Sequence, residues 1–204
     1  MPSPASGQKT RQALLDAAKE FLGEGNRDVS VQEIAAAAGV AVGSVYTYFK
    51  DKNELFEMAA QDALLTDTPV LQQIVEAWDD PALGLLASVL YASKRPNFAP
   101  QTSRIILTVG PLGFANFGDY FEAPKNALRA SIAMGKAKCD DVDAFSIAIS
   151  GAYQNLLANV YAKTTDPEMP ERVMWLFTRQ LGYSRQDFDS VVKFVDDYTS
   201  KLTY

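Results

Sequence analysis

Residues 30–52 read SVQEIAAAAGVAVGSVYTYFKDK, and nearly every position in this stretch carries a local folding signal. Ser30 followed three residues later by Glu33 forms a capping box, in which hydroxyl and carboxylate each satisfy an orphan backbone donor. Val29 and Ile34 flank the box as a hydrophobic staple. Gly39 supplies the left-handed residue that stops the first helix, and Val40 just beyond it is placed to dock into a core. A short turn then leads into a second helix from about Val42 to Phe49, and Asp51 with Glu54 opens a third. Helix, glycine turn and helix in this spacing predict a helix-turn-helix.

Working outward, residues 1–6 are polar and carry two prolines, which predicts a disordered arm. A helix follows with Leu14, Ala17, Ala18, Phe21 and Leu22 at helical spacing, ended by Gly25. The next helix, from Asp51 to about Thr66, repeats the pattern with Leu55, Phe56, Ala59, Ala60, Ala63 and Leu64 and connects to everything downstream. Further helices are expected over 69–79, 81–94, 100–110, 119–138, 141–163, 169–182 and 185–201, separated by proline and glycine. No strand alternation interrupts them, so the fold class is all-α.

The set Ser30, Ile34, Ala35, Ala38, Gly39, Val40, Gly43, Tyr46, Tyr48, Phe49, Lys52 and Leu55 resembles the N-terminal signature of the tetracycline-repressor (TetR) family of ligand-controlled transcription regulators. The resemblance covers residues 8 to 60; beyond them only length and helical character agree. It implies a DNA-binding domain over 7–50 and a helical effector-binding and dimerisation domain over 51–204. It further implies a dimer on an inverted-repeat operator and an effector that binds among the middle helices, moves the helix at 51–66 and releases the repressor from DNA. One position departs from the pattern: Ala41 stands where the family carries a serine or threonine cap for the recognition helix, a loss worth about 0.5–2 kcal/mol.

The residue types suit double-stranded DNA as partner. A helix entering the major groove needs short side chains near its N-terminus, and Val42, Gly43, Ser44 and Thr47 provide them. Val42 and the Thr47 methyl can touch a thymine methyl; the Ser44 and Thr47 hydroxyls can donate or accept. Gln32 has amide geometry for adenine or a phosphate. Phe49 is expected to anchor the helix. The resemblance directs Tyr46 and Tyr48 at phosphates, with packing inside the small domain as the alternative for Tyr46. Lys52 sits in the first turn of a helix, where a cation opposes the dipole, and is therefore read as a phosphate ligand, with Ser30 beside it.

In 141–163, Ala144, Ala148, Gly151, Asn155 and Ala158 form a stripe of small residues, while Phe145, Ile149, Tyr153, Leu156 and Val160 form a bulky one. A helix apolar on two faces is buried on two sides. The small stripe, with Val173 and Phe177 of the next helix, is expected to face a symmetry mate in a homodimer, the alternative being a monomeric core. The segment 111–121, PLGFANFGDYF, cannot be one regular helix, and its Phe114, Phe117, Tyr120 and Phe121 are candidates to line an effector cavity. Leu86, Leu90, Tyr91, Phe98, Ile105 and Val109 would add apolar walls, and Arg104 and Gln154 polar contacts; the alternative for each is ordinary core. Such walls favour a small apolar or aromatic effector.

Composition narrows the chemistry. The chain has 204 residues, no histidine and one cysteine, Cys139. Zinc sites and nucleophilic triads that depend on histidine are excluded, no cofactor motif is present, and an enzyme is disfavoured. Asp140, Asp141 and Asp143 read as a helix N-terminus rather than a metal site. The sequence shows neither a membrane-spanning run nor a secretory signal, and the single cysteine fits a cytoplasmic location. The net charge of −6 runs against nucleic acid, and residues 1–58 hold six basic against eight acidic side chains. That balance keeps a second reading open, a helical protein-interaction module with a vestigial helix-turn-helix.

Overall fold

Helix follows helix along the chain, as the proline and glycine punctuation predicts. The computed structural model describes the backbone of residues 4–115 and 118–202 and the side chains of residues 6–108 and 122–202. Among the described residues are α1 (Pro4–Glu24), α2 (Val31–Ala37), α3 (Val42–Tyr48), α4 (Lys52–Glu76), α5 (Pro81–Lys94), α6 (Pro100–Ala115), α7 (Gly118–Ala133), α8 (Val142–Tyr161), α9 (Met169–Gln180) and α10 (Arg185–Thr199), with a single 3₁₀ turn at Arg95–Asn97 and no strand. None of these helices is long and apolar enough to cross a membrane.

Three expectations are corrected. Helix α1 begins at Pro4, so residues 4–6 are helical rather than part of an arm. Helix α4 runs through Pro69, which was expected to separate two helices. A mid-helix proline removes one backbone bond, but Val70, Leu71 and Ile74 beyond it pack into a core that holds the helix together. Helix α6 likewise continues past Gly110 and Pro111, which were expected to end it, to Ala115, and α7 is described from Gly118.

The chain divides into two compact units, Met1–Asp67 with Arg104–Gly113, and Thr68–Ser103 with Phe114–Tyr204. The boundary therefore falls inside α4 and α6, not at the expected junction between residues 50 and 51. In the first unit, Leu14, Leu15, Ala18 and Leu22 of α1 pack with Ile34, Val45 and Phe49, with Leu55, Phe56, Ala59 and Ala60 of α4, and with Ile105 of α6. Lys19 reaches Asp62 of α4 at 2.7 Å and Asp16 at 2.7 Å, tying α1 to α4. Burial raises the Asp16 carboxyl, but the bonds from Lys19 and Gln12 outweigh it and leave it below the usual range.

In the second unit α5 is central, packed by α7, α8, α9 and α10. Leu86, Ala87, Leu90 and Tyr91 are fully enclosed, each large apolar side chain contributing about 1.5–3 kcal/mol. The start of α5 is fixed by Asp80, which accepts from Ala82 N at 3.1 Å, Ser131 Oγ at 2.6 Å and Tyr183 Oη at 2.8 Å. Helix α10 lays Phe188, Val191 and Val195 against this core, as its amphipathic pattern predicts. Lys94 joins α5 to Glu171 of α9 at 2.7 Å and to Asp196 of α10 at 2.8 Å.

Candidate nucleic-acid interface

The capping box forms as the sequence predicts. Ser30 Oγ accepts the Glu33 amide at 3.2 Å, and Glu33 Oε2 accepts the Ser30 amide at 2.8 Å and the Ser30 hydroxyl at 2.6 Å. Those bonds from Ser30 hold the exposed Glu33 carboxyl below its ordinary range. At the other end of α2, Gly39 adopts φ 66°. The Val40 amide reaches Ala35 O at 2.9 Å and the Gly39 amide reaches Ala36 O at 3.0 Å, a complete Schellman closure. Both ends of α2 are thus set by side chains and backbone within a dozen residues.

Helix α3 starts at Ala41, which makes no side-chain cap bond. Val45 is buried and Phe49, its C-cap, lies under the Arg11 guanidinium, 5.5 Å from the ring centroid. With 45 and 49 turned inward, helical spacing sends Gly43, Tyr46 and Thr47 outward, and all three are exposed, Tyr46 by 60%; Val42, at the first turn on the side of Val45, is 36% exposed. Gln32 is exposed on α2, and Ser44 is half-buried. Packing of Tyr46 within the small domain is thereby ruled out. Tyr48 instead is half-buried against the core, close enough to α1 that a Cβ on Gly7 would lie 3.3 Å from its hydroxyl.

Lys52 behaves differently from its expectation as a phosphate ligand. Its Nζ donates to Arg27 O at 3.1 Å and Val29 O at 3.0 Å and lies 5.9 Å from the Phe56 ring centroid. Two loop carbonyls therefore supply the negative counterpart that the helix dipole denies a cation in the first turn. Ser30 is equally committed, its hydroxyl bonded to Glu33. Lys9 and Arg11 stand inside α1.

The residues proposed for an effector do not all fall together. Leu86, Leu90 and Tyr91 are buried on α5, Phe98 packs 5.2 Å from the Tyr91 ring, and Gln154 is half-buried on α8. Arg104 and Ile105 belong instead to the first unit, where Ile105 joins the helix-turn-helix core and Arg104 donates to Glu24 O. Phe117 and the side chains of Val109, Phe114, Tyr120 and Phe121 lie outside the described residues. Sequence reasoning missed Arg95, which is 1% exposed, donates from Nη1 to Tyr153 Oη at 3.4 Å and has its guanidinium 5.9 Å from the Tyr91 ring centroid. Nothing in its proline-flanked sequence marks it as interior.

On α8 the bulky stripe of Phe145, Ile149, Tyr153 and Leu156 is buried, while Ala144, Ala148, Gly151 and Asn155 are exposed and Ala158 is half-buried. Leu176 of α9, which the sequence sets beside the small-residue stripe, is 50% exposed, and Ile147 of α8, which it did not single out, is 74% exposed. Val173 is half-buried, and Phe177 turns inward to meet Phe145 edge-on, 5.5 Å between centroids. The acidic trio before α8 is a helix terminus: Asp141 accepts the Ala144 amide at 2.9 Å and Asp143 pairs with Lys125 at 3.0 Å.

Residues 14–59, which span α1 through the first turns of α4, match the sequence model of bacterial regulatory proteins of the tetR family. The chain is 50% identical over 50 residues to the HTH-type transcriptional regulator AcrR of Shigella flexneri, covering 24% of this chain and 23% of that protein. It is 36% identical over 90 residues to the regulator SrpR of Pseudomonas putida, 42% of each chain. The match thus spans less than half the length of either curated relative. The fold extends further: the regulator FadR of Bacillus subtilis, solved in complex with stearoyl-CoA, superposes with TM-score 0.67 at 20% identity over 83% of this chain and 98% of that one. A capped α2, a Schellman turn and an outward-facing α3, all within the matched segment, agree with these likenesses, and residues 14–59 are an N-terminal segment of the kind carried by bacterial regulatory proteins of the tetR family.

Proposed function

We propose that this protein is a one-component, cytoplasmic repressor that binds an inverted-repeat operator as a homodimer and leaves it on binding a small apolar or aromatic effector. The observation that carries the DNA reading is the two-sidedness of α3. Val45 is enclosed, while Gly43, Tyr46 and Thr47 stand clear on the opposite face and Val42 is exposed at the first turn, so the exposed residues are short at the N-terminus and aromatic further on. That face suits base edges near the start of the helix and phosphates beyond it. Two such helices in a dimer read half-sites about 34 Å apart or a multiple of it.

Dimerisation is supported by the open small-residue stripe of α8 together with Ile147 and Leu176. An apolar effector is supported by the aromatic and aliphatic lining around Tyr91 and Phe98, and by the acyl-CoA held by a protein of the same fold. Release requires the effector to prefer one dimer geometry; equal affinity for both would switch nothing.

The test is selection of bound duplexes from a random pool with the purified protein, followed by titration at several salt concentrations. A palindromic winner whose affinity falls steeply with salt is the expected result. Ser44→Ala and Thr47→Ala should each change the preferred sequence, and Tyr46→Phe should weaken all sequences alike. The acidic balance of residues 1–58 favours the second reading, an interaction module; no duplex binding even at low salt would establish it over the first.

A further inference from the structure

The end of α1 and the loop that follows it, Gly25–Ser30, are gripped by two cations from two other helices. Arg104 of α6 donates to Glu24 O, the last carbonyl of α1, and Lys52 of α4 donates to Arg27 O and Val29 O. Helix α1 has no basic residue in its own last turn. Its end is closed by the Gly25 amide on Leu22 O at 3.0 Å and the Asn26 amide on Phe21 O at 2.9 Å, which leaves Glu24 O for Arg104. A cation at a helix C-terminus also complements the dipole. Gly25 is required twice over. Its φ is 78°, and a Cβ there would lie 2.8 Å from Arg104 Nη1.

We infer that Arg104 and Lys52 form a clasp on the α1–α2 loop and act as positioning residues for DNA reading, setting where α2 and α3 are presented rather than touching the duplex. This rests on the DNA-binding reading above. Val29 is at once a carbonyl held by Lys52 and the residue before the Ser30 cap, so the clasp fixes the point from which α2 departs. The effector-contact role assigned to Arg104 from sequence is replaced by this one.

The experiment uses the full chain and the duplex it selects from a random pool. Arg104→Gln and Lys52→Gln are expected to lower operator affinity on the order of tenfold, the range of one charge-assisted hydrogen bond. The slope of log affinity against log salt should stay as in the wild type, and amide exchange across Asn26–Val29 should quicken. Arg104→Lys, which keeps one donor, should recover part of the affinity. A direct phosphate contact would instead lower the slope by about 0.9 per contact; that result for Lys52→Gln, or wild-type operator affinity for a folded Arg104→Gln, overturns the clasp. Should Arg104→Gln fail to fold, Arg104→Lys and Lys52→Gln decide by the same two measurements. Absence of wild-type duplex binding would remove the DNA reading itself, whereas wild-type binding with unaffected variants removes only the clasp.

Discussion

The Tyr183 hydroxyl, just past the end of α9, donates to Asp80 Oδ2 at 2.8 Å, across 103 positions of sequence. Ser131 of α7 completes the cluster, 2.6 Å from Asp80 Oδ1 and 3.0 Å from the Tyr183 oxygen. Burial, and then the neighbouring Asp80 carboxylate, push the phenol well above its ordinary value of 10.0, against the lowering effect of Ser131. Tyr183→Phe is expected to destabilise by about 1–2 kcal/mol, since one hydrogen bond disappears while Asp80 keeps two donors. Asp80→Ala should cost more, because it strands two hydroxyls and uncaps α5. Because the phenol's folded value is raised, its contribution is full below pH 10 and is lost as pH climbs beyond. Chemical denaturation of wild type and Tyr183→Phe between pH 7 and 11 should show the two converging at the alkaline end.

At the acid end the capping box titrates. The Glu33 carboxyl is held below its ordinary 4.5 by the Ser30 hydroxyl and amide, so its contribution is complete at neutral pH and is lost as pH falls through the depressed value. Glu33→Gln should therefore be less stable than wild type at pH 7, with the difference shrinking as pH falls below 4.5, as measured by urea unfolding.

Ala41 leaves α3 without a side-chain cap although its backbone is already extended, at φ −70° and ψ 144°. Ala41→Ser should stabilise the protein by about 0.5–2 kcal/mol. If duplex binding orders the start of α3, the same substitution should also tighten operator affinity, which a titration of the two proteins side by side would read.

Helix α8 closes with the same pair of bonds as α2, Lys163 N to Val160 O at 3.1 Å and Thr164 N to Asn159 O at 3.0 Å, but with Lys163 in the left-handed position at φ 53°. A side chain there costs about 1–2 kcal/mol. Lys163→Gly should return part of this as a rise in Tm, without altering DNA binding.

What could be read in the sequence was what short-range bonds decide. The capping box at Ser30 and Glu33 and the Gly39 turn depend on partners within a few residues, and both formed as expected. The misplaced features depend on distant ones. Pro69 does not end α4 because Ile74 is enclosed by the second core. Ile105 joins the first unit because Leu14 and its neighbours are there to meet it, more than eighty residues earlier. In the reading surface, Tyr46 and Thr47 were legible from helical spacing. The carbonyls that occupy Lys52 were not, since a loop's backbone direction leaves no trace in residue type.

Because the three crossings between the units, at Asp67–Thr68, Ser103–Arg104 and Gly113–Phe114, all fall inside α4 and α6, none of them offers a linker at which to cut. A fragment ending near residue 50 would discard the α4 residues Leu55, Phe56 and Ala59, as well as Ile105, and with them one wall of the core beneath the helix-turn-helix. The two units are therefore not interchangeable cassettes: a folded chimera would have to join inside α4 near Asp67 and carry Arg104–Gly113 along with its native N-terminal half.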